Sequence, residues 1–360
     1  VTLLVTPLAM LGAVWAPLWD AAGWVLQCLG IYLQWLATWP FAAISMAAPA
    51  LWAGVAAVAA GVLLALRLPW GIRLLGVPLL LPALLWQPPR PNTGQFELLA
   101  ADIGQGNAVI VRTASHTLVY DTGPRFGRDS DAGNRVLVPL LRATDEKVDI
   151  VMLSHRDADH IGGAPAVLSM QPQAGLISSI EDGHELQALR KSTRCVAGQQ
   201  WEWDGVRFEV LQPQAADYEA KLKSNGMSCV LRIAAARQAD GGEAVALLAG
   251  DTEEPQEQRL VQQGARLKAD FLLVPHHGSK TSSSDAFLNA VKPRISLAQA
   301  GYRNRFNHPA PQVVQRYREH GLELQDSPHC GAAKWSSTQP EQLRCNRAEA
   351  QRYWHHFLPE

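Results

Sequence analysis

Two histidines and two carboxylates lie within six residues in the stretch "SHRDADH": His155, Asp157, Asp159 and His160. The run before them, "VDIVML", is typical of a buried strand. Carboxylates held this closely repel each other, and burying them without a partner is costly. A divalent cation removes both costs, so the pattern indicates metal ligands at the mouth of a strand. The alternative is that "RDAD" is a solvated turn and that the histidines are incidental.

Other ligand-type residues also stand where apolar runs end. Asp121 ends "TLVYD", Asp251 ends "AVALLAGD", and His276 and His277 follow "DFLLVP". Because strand ends in α/β sheets hold loop residues in position, we expect these endings to converge on one site. The combined set offers enough ligands for two divalent metal ions, with Asp251 as the bridge. A two-metal site activates water and stabilises a leaving group.

The carboxylate at Asp157 makes the predicted site rich in oxygen ligands. Oxygen donors favour manganese or magnesium over zinc. We therefore expect two divalent ions, manganese, zinc or magnesium, with the preference shifted towards the harder ions.

The elements that must position these residues lie after Phe96, where short apolar runs alternate with amphipathic stretches. Such alternation predicts a layered α/β domain. Residues 96–360 are long enough to bury one large core, so we expect a single domain there.

The first quarter of the chain has a different composition. Residues 1–96 carry four charged side chains, and all 11 histidines lie after Phe96. Apolar runs of this kind predict about three to four membrane helices within residues 1–87. Residues 41–49 are expected to be re-entrant or interfacial, and residues 88–95 form a proline-rich linker. The four candidate helical runs are Leu3–Leu18, Ala21–Ala37, Leu51–Leu66 and Leu74–Trp86.

Arg67 and Arg73 flank the short loop between the third and fourth runs, which predicts that this loop is cytoplasmic. We therefore expect a multi-pass protein of the cell (inner) membrane, with residues 96–360 on the extracytoplasmic side. In an oxidising compartment Cys330 and Cys345 could close a disulfide. The alternative is that the cysteines of this domain stay unpaired.

Seven motifs follow one another in the second part of the chain: "DIGQGNAVIV", "YDTGP", "SHRDADHIGG", "NGMSCVLRI", "LLAGD", "VPHHGSKTSSS" and "NHP". With the apolar segments before them, they resemble the ComEC-type competence DNA-uptake family, whose hydrolase domain has the metallo-β-lactamase fold. The resemblance implies an α/β chain in which membrane helices are followed by a four-layer αββα domain. It also implies metal-ligand roles for His155, Asp157, Asp159, His160, Asp251 and one of His276 and His277.

The chain also departs from the pattern that it resembles. Asn225, in "SNGMS", stands where many metallo-β-lactamase enzymes place a further histidine ligand, and Asn107 stands where the family commonly has aspartate. Asp102 and Asp121 are expected to orient ligand imidazoles or the loop from a second layer around the metals. The alternative for both aspartates is ordinary turn chemistry at strand ends.

A phosphodiester substrate needs positive charge beside the metals, and the region from His276 to Arg318 contains a local basic patch. Ser279 and Lys280 come directly after the predicted metal histidines, and Arg303 and Arg305 lie further along. We expect Ser279, Lys280, Arg303 and Arg305 to contact the substrate.

His308 lies in "NHP", a sequence that predicts the start of a helix with proline near the first position. The free amides of such an end attract phosphate. His308 could then donate to a phosphate oxygen or protonate the leaving oxygen, so we assign catalytic roles to His308 and Asp159. The alternative is that His308 is a surface cap beside a solvated helix face.

Taken together, these features predict a membrane-anchored, metal-dependent nuclease that hydrolyses phosphodiester bonds and degrades DNA during uptake. The resemblance implies single-stranded DNA, membrane lipid and other competence or DNA-uptake proteins as partners, and it leaves room for a homo-oligomer. Two alternatives stay open. One is a small-molecule hydrolase of the same fold, and the other is a non-catalytic domain that binds and guides DNA.

Overall fold

The computed structural model describes residues 2–13, 15–39, 46–220, 222–237, 241–264 and 266–353. The chain divides into two compact units, Val1–Met46 and Ala47–Glu360. The first contains helices α1 (Thr2–Gly12) and α2 (Pro17–Ala37). The predicted re-entrant or interfacial segment, residues 41–49, lies largely outside the described residues.

Three more apolar helices begin the second unit: α3 (Leu51–Ala65), α4 (Trp70–Arg73) and α5 (Gly76–Leu84). The prediction of three to four membrane helices needs a correction, since no helix in the described part of the chain is both long and apolar enough to cross a membrane. A spanning helix needs about 20 apolar residues, whereas α1, α3 and α5 have 11, 15 and 9 residues. The 21-residue α2 contains Asp20 and two glutamines, which lower its hydropathy.

The remainder of the second unit is built from many short strands. They are β1 (Glu97–Ala100), β2 (Val109–Arg112), β3 (Thr117–Tyr120), β4 (Arg125–Gly127), β5 (Ser130–Asp131), β6 (Ile150–Leu153), β7 (Gly175–Ser178), β8 (Thr193–Arg194), β9 (Gln200–Trp203), β10 (Val206–Gln212), β11 (Val230–Ala236), β12 (Glu243–Leu248), β13 (Phe271–Leu273), β14 (Ile295–Ala298), β15 (Glu323–Asp326), β16 (Ala333–Ser336) and β17 (Leu343–Cys345).

Helices alternate with these strands, as predicted. They are α6 (Val138–Ala143), α7 (Ala158–Ile161), α8 (Ala164–Met170), α9 (Glu185–Leu189), α10 (Glu254–Gln262), α11 (Asp285–Val291), α12 (Pro311–Glu319), α13 (Ser327–Cys330) and α14 (Asn346–Glu349). The helix predicted at "NHP" needs a correction, because α12 begins at Pro311 and His308 lies in the loop before it.

The strands form two large mixed sheets and one small hairpin. The first sheet has the order β17-β16-β1-β2-β3-β6-β7-β8, the second has the order β15-β14-β13-β12-β11-β10-β9, and β4 pairs with β5. In the first sheet β3, β6, β7 and β8 run parallel, whereas β1, β2 and their neighbours are antiparallel. In the second sheet β12 to β15 run parallel, and β9 to β12 are antiparallel.

Three apolar clusters show how the layers stack. The inner cluster joins the facing sides of the two sheets, with Val109 and Val111 of β2 on one side and Phe208 of β10 on the other. Ile110, between those valines, points the other way into a cluster with α6 and α8. A third cluster packs α10, α11 and α12 on the second sheet. Because successive side chains of β2 point to opposite faces, this strand contributes to two cores. The architecture is four-layered αββα, as predicted.

The carboxyl ends of the parallel strands gather the chemically distinctive residues. Asp121 follows β3, His155 follows β6, and Asp251 follows β12. His276 and His277 lie in a 3₁₀ turn, Pro275–Gly278, after β13. Since parallel neighbours end at the same edge of a sheet, the predicted convergence of strand ends is observed.

Two disulfides lie in this unit. Cys330 pairs with Cys345, which is one of the two alternatives that the sequence left open. Cys195 pairs with Cys229, a bridge that the sequence analysis did not predict.

Candidate metal centre

A buried aspartate at the end of β3 organises the first part of the site. Asp121 adopts a left-handed backbone conformation with φ of 56°. Its Oδ1 accepts from the Ser154 amide at 2.7 Å, and its Oδ2 accepts from the Ser154 hydroxyl at 2.8 Å. Oδ2 also lies 2.7 Å from Nδ1 of His160. A carboxylate can only accept, so Nδ1–H of His160 donates to it and Nε2 is left facing the centre.

The short helix α7 carries Asp159 and His160 towards the same point. The loop at Gly106 approaches it so closely that a Cβ there would meet the Asp159 carbonyl oxygen at 2.1 Å. Gly106 also has a φ of 129°, so glycine is required at this position on both counts. The Thr122 amide and hydroxyl donate to the His160 carbonyl at 2.7 and 2.9 Å. These contacts hold both ligand residues against the end of β3.

Asp251 lies at the middle of the site, and its two carboxylate oxygens face different residues. Oδ1 lies 3.2 Å from Nε2 of His160 and 3.5 Å from Nε2 of His277. Oδ2 lies 3.6 Å from Nε2 of His276 and 3.9 Å from Nε2 of His155. The Asp251 amide donates to the Ser228 hydroxyl at 3.0 Å, which fixes the turn after β12.

The site therefore has two halves that share one carboxylate. We call Asp159, His160, His277 and Asp251 Oδ1 the Oδ1 half, and His155, Asp157, His276 and Asp251 Oδ2 the Oδ2 half. In the Oδ1 half, Nε2 of His277 lies 3.4 Å from Asp159 Oδ2. In the Oδ2 half, Nε2 of His155 lies 3.6 Å from Asp157 Oδ2.

The backbone of the 3₁₀ turn brings both adjacent histidines to the centre. His276 and His277 are both left-handed, with φ of 49° and 54°. Such conformations are costly for residues with a Cβ and cluster at functional sites. The sequence analysis expected one of the two histidines at the metals, without saying which. The structure turns both rings towards Asp251, one to each of its oxygens.

Each imidazole is also held from its far side. Nδ1 of His277 donates to the Gln299 carbonyl oxygen at 2.8 Å. Nδ1 of His155 lies 2.9 Å from the Ser154 hydroxyl, whose proton is given to Asp121. Nδ1 of His276 lies 3.4 Å from Glu253 Oε1. With the Nδ1 atoms engaged, the Nε2 lone pairs point at the centre, as in metal-ligating histidines.

Four inward atoms have no hydrogen-bond partner among the described residues although they are buried: Nε2 of His155, His160 and His277, and Oδ1 of Asp251. Buried polar atoms are normally paired, because leaving them unpaired is costly. The atoms also meet the spacing of a metal site. In two overlapping triads, His155–His160–Asp251 and Asp159–His160–His277, the ligand atoms lie within 4.8 Å of one another. Divalent cations are partners that fit this donor set.

The electrostatics of the centre favour bound positive charge. Burial raises the pKa of Asp251, but the charges of His160 and His277 outweigh it and hold this pKa well below its usual value. Burial lowers the pKa of His160, but the carboxylates of Asp251 and Asp121 outweigh it and raise this pKa well above its usual value. The pKa of His277 is raised in the same way, with burial outweighed by the nearby carboxylates of Asp251 and Asp159. The carboxylates thus stabilise cations at this point.

The residues expected around the ligands lie in different places. Asp121 contacts a ligand histidine directly. Asn225 donates to Glu253 Oε1 at 3.4 Å, one contact away from His276. The expected supporting role of Asp102 needs a correction. Its carboxylate pairs with Arg347 at 2.9 Å and does not contact the ligand cluster.

The residues expected to contact substrate surround the centre without forming one group. The Ser279 hydroxyl is buried and lies 3.1 Å from the Thr281 hydroxyl, and Lys280 is exposed. Arg303 and Arg305 lie in the exposed loop 301–308.

The imidazole of His308 stands beside the two site histidines. Its ring centroid is 5.7 Å from His276, 6.2 Å from His277 and 5.6 Å from the stacked ring of Phe306. Burial, followed by the charges of His277 and His276, lowers the pKa of His308 to about 4. The ring is therefore neutral at pH 7, and it can donate a hydrogen bond but holds no proton to give away as imidazolium.

Sequence reasoning missed four residues that hold the ligands: Ser154, Ser228, Glu253 and Gln299. Two of them carried a usable signal. Ser154 opens the motif that drew attention first, and Gln299 directly follows β14, in keeping with the strand-end rule applied elsewhere. Ser228 and Glu253 carried none, because each acts only through a partner that is remote in sequence.

Fold and ligands together are those of a metallo-β-lactamase-type domain with a candidate metal site. Residues 101–193 match the model of the Metallo-beta-lactamase superfamily. Among solved structures, the chain is similar to the metallo-beta-lactamase fold protein YhfI from Bacillus subtilis, with a TM-score of 0.43 at 13% sequence identity. That match covers 67% of this chain and 99% of YhfI.

Curated relatives narrow the class. The chain is 37% identical over 336 residues to Competence protein ComA of Neisseria gonorrhoeae, which covers 92% of this chain and 45% of that protein. It is 32% identical over 274 residues to Uncharacterized protein YcaI of Escherichia coli (strain K12), with 76% and 34% covered. The chain spans less than half the length of these relatives. It is a homologue of the ComA competence protein and carries a metallo-β-lactamase domain.

Proposed function

We propose that this chain is a membrane-associated, metal-dependent nuclease that hydrolyses single-stranded DNA during DNA uptake. One observation carries the proposal: two sets of ligand residues face the two oxygens of Asp251, and the buried Nε2 atoms of His155, His160 and His277 have no hydrogen-bond partner among the described residues. A carboxylate whose two oxygens face different ligand sets is suited to bridging a pair of divalent cations.

The two halves assign the ligands. The Oδ1 half would hold one ion through Asp159, His160 and His277, and the Oδ2 half would hold the other through His155, Asp157 and His276. When bound, divalent cations polarise a phosphodiester and activate water for attack. Manganese and magnesium suit the carboxylates, while zinc suits the imidazoles.

The protein's own residues supply orientation and hydrogen bonds. Asp121 and Gln299 hold the two imidazoles of the Oδ1 half in place. Burial raises the pKa of Asp159, but the neighbouring imidazoles of His277 and His160 outweigh it and lower this pKa, so Asp159 acts as an ionised ligand. His308, neutral at pH 7, serves as a donor to a phosphate oxygen and not as a proton source for the leaving oxygen.

A phosphodiester substrate is supported by the homology and by exposed guanidinium groups near the centre. Arg303 and Arg305 are exposed in loop 301–308, whose other end carries His308. The similarity to a competence protein supports DNA as the polymer. Other DNA-uptake proteins and a second copy of the chain are proposed partners on the same ground.

Membrane association is supported by the surface of the first 85 residues. In the described residues, exposed large apolar side chains fall almost entirely between Met10 and Leu85, and they include Trp15, Trp24 and Trp70. Exposed tryptophan and leucine at this density are typical of contact with lipid. We propose the cell (inner) membrane, with the hydrolase domain extracytoplasmic, where the two disulfides would persist.

An assay on the purified full chain tests the proposal. End-labelled single-stranded DNA is incubated with manganese, magnesium or zinc in turn, and with a chelator. We expect cleavage that requires an ion and is abolished in Asp251→Ala. The matched control is Glu349→Ala, which removes an exposed carboxylate that pairs with Arg344.

Each contrary result has a distinct meaning. DNA that stays intact with every ion, while Asp251→Ala still binds it, would replace the nuclease with a DNA-guiding domain. Hydrolysis of a chromogenic β-lactam without cleavage of DNA would favour a small-molecule hydrolase.

A further inference from the structure

A groove opens directly beside the Oδ1 half of the metal centre. It has a volume of about 570 Å³ and is lined by Arg125, Asp159, Tyr302, Asn304, Arg305 and Phe306, among others. One wall contains Pro124 and Arg125, where the hairpin of β4 and β5 begins, and the other is formed by loop 301–308. Arg303 does not line the groove itself, but its guanidinium lies over the ring of Tyr302, which does. Asp159 is shared between the groove and the ligand cluster, so the groove leads to the reacting centre.

The charge of the groove is unbalanced towards positive. Asp159 is the one carboxylate among its lining residues that the structure describes. No carboxylate in the described part of the chain pairs with Arg125, Arg303 or Arg305. Arg125 donates to the backbone carbonyls of Gly127 and Arg128, and Arg303 and Arg305 lie over aromatic rings. These three guanidinium groups therefore keep the capacity to bind phosphate.

Aromatic rings are exposed at the same place. Tyr302 and Phe306 are 46% and 49% exposed, with Arg303 and Arg305 over their rings at 5.1 and 4.7 Å. Phe126, in strand β4 of the neighbouring hairpin, is 46% exposed and lies under Arg135. Exposed aromatic side chains stack on the bases of an unpaired strand, and arginines beside them contact its phosphates.

Hydrogen bonds from the side chain of Asn304 hold loop 301–308 in one conformation. The Asn304 amide donates to the carbonyls of Gly301 and His308 at 2.9 and 2.6 Å. Its oxygen accepts from the amides of Phe306 and His308 at 3.1 and 2.9 Å. A loop that is already ordered loses little conformational entropy on binding. Asn304 thus presents the rings and guanidinium groups in a fixed arrangement.

We propose that this groove binds the unpaired nucleotides adjoining the scissile bond, with Tyr302 and Phe306 stacking on bases and Arg125, Arg303 and Arg305 contacting phosphates. The proposal rests on the nuclease function proposed above and assigns its strand-positioning residues. The rings require unstacked bases, so the groove selects single strands over duplexes.

Equilibrium binding of the full chain tests this directly. Fluorescence anisotropy is measured with a chelator present, so that no strand is cut. The probes are a labelled thymidine oligonucleotide of about twelve nucleotides, within the range that such grooves cover, and an abasic strand of equal length. We expect the protein to prefer the base-bearing strand by about fivefold or more.

Variants separate the two kinds of contact. Tyr302→Ala should remove the preference for bases, and Tyr302→Phe should keep it. Arg305→Ala should weaken both strands equally and lower the salt dependence of binding by about one phosphate contact. Arg266→Ala is the matched control, because this arginine is exposed, lines a cavity that contains none of the ligand residues and pairs with Glu209. It should leave both affinities unchanged.

The inference is overturned by equal affinity for the two strands, by a preference that survives Tyr302→Ala, or by an Arg266→Ala effect as large as that of Arg305→Ala. DNA that is cleaved while Tyr302→Ala and Arg305→Ala bind like the parent would refute the groove alone. Strands that bind with the expected preference but are never cleaved would refute the nuclease and leave the groove standing.

Discussion

The two halves of the metal centre share Asp251 but differ in how tightly they are built. In the Oδ1 half, His160 and His277 are buried and lie 3.2 and 3.5 Å from the shared carboxylate. In the Oδ2 half the corresponding distances are 3.6 and 3.9 Å, and the Asp157 side chain is 44% exposed. Both imidazoles of the Oδ1 half are therefore buried, whereas in the Oδ2 half only that of His155 is.

The outer contacts differ in the same direction. A fully buried carboxylate, Asp121, supports His160 at 2.7 Å, whereas the partly exposed Glu253 stands 3.4 Å from His276. The Oδ2 half also borders a cavity of about 510 Å³ where Arg156 and Arg194 are paired with Glu181 and Asp182. The difference indicates that, of the two candidate ion sites, the Oδ1 half is the more preorganised.

The largest effect is expected where the halves meet. Asp251→Ala removes the shared ligand, so both ions should be lost and activity should fall by more than about a hundredfold, the upper limit for an outer contact. Elemental analysis of the purified protein measures the metal content. Retention of two ions per chain would show that Asp251 is not the bridge.

The adjacent histidines form a matched pair of variants. His277→Ala should cost more metal affinity than His276→Ala, because His277 is 1% exposed and lies near both Asp159 and Asp251. Isothermal titration with manganese resolves the two sites. Equal losses in the two variants would mean that the halves do not differ in strength.

The carboxylate behind His160 provides a test one step further out. Asp121→Asn keeps the shape but loses the charge that orients the imidazole, and should weaken the tighter ion by about 10–100-fold. The same titration measures it, with circular dichroism to show that the fold persists. An unchanged tight site would assign Asp121 to the turn after β3 and not to the metal.

Protons compete with the ions at the Oδ1 half. Burial lowers the pKa of His160 and His277, but the facing carboxylates raise both above about 6.5, the ordinary value. Their protonation thus stabilises the metal-free protein below pH 6.5, and this stability is lost as pH rises through the raised pKa. Added manganese should replace the protons, with affinity rising about tenfold per pH unit for each proton displaced.

Thermal unfolding over a pH series checks the sign. The stabilisation by manganese should grow as pH rises above 6.5, and it should shrink below. A stabilisation that is constant with pH would show that no proton leaves on binding.

The smallest effect is expected at the outer contact of the looser half. Glu253→Gln removes the charge beside His276. It should weaken binding of the second ion by about tenfold or less. Asp121→Asn is its natural comparison. A loss larger than that of Asp121→Asn would reverse the ranking of the two halves.

Much of the architecture could be predicted from patterns within single segments. The alternation in β2 and the apolar runs before Asp121, His155 and Asp251 placed strands correctly, because side-chain period and burial are local properties. The lengths of the helices within residues 1–87 could not be predicted in the same way. An apolar run such as Gly76–Leu84 shows composition but does not reveal where a helix starts and stops.

The sequence by itself determined which types of ligand residue are present and that they follow strands. Both are local properties, because a residue that directly follows a strand must lie in the loop at its end. Only the tertiary structure decided that Asp251 divides its oxygens between two halves and that both His276 and His277 face it. It also decided that Asp102 turns away to Arg347. The physical reason is distance along the chain: contacts such as Gln299 to His277, or the hairpin across from loop 301–308, exist only once two sheets have stacked and each side chain has taken one rotamer.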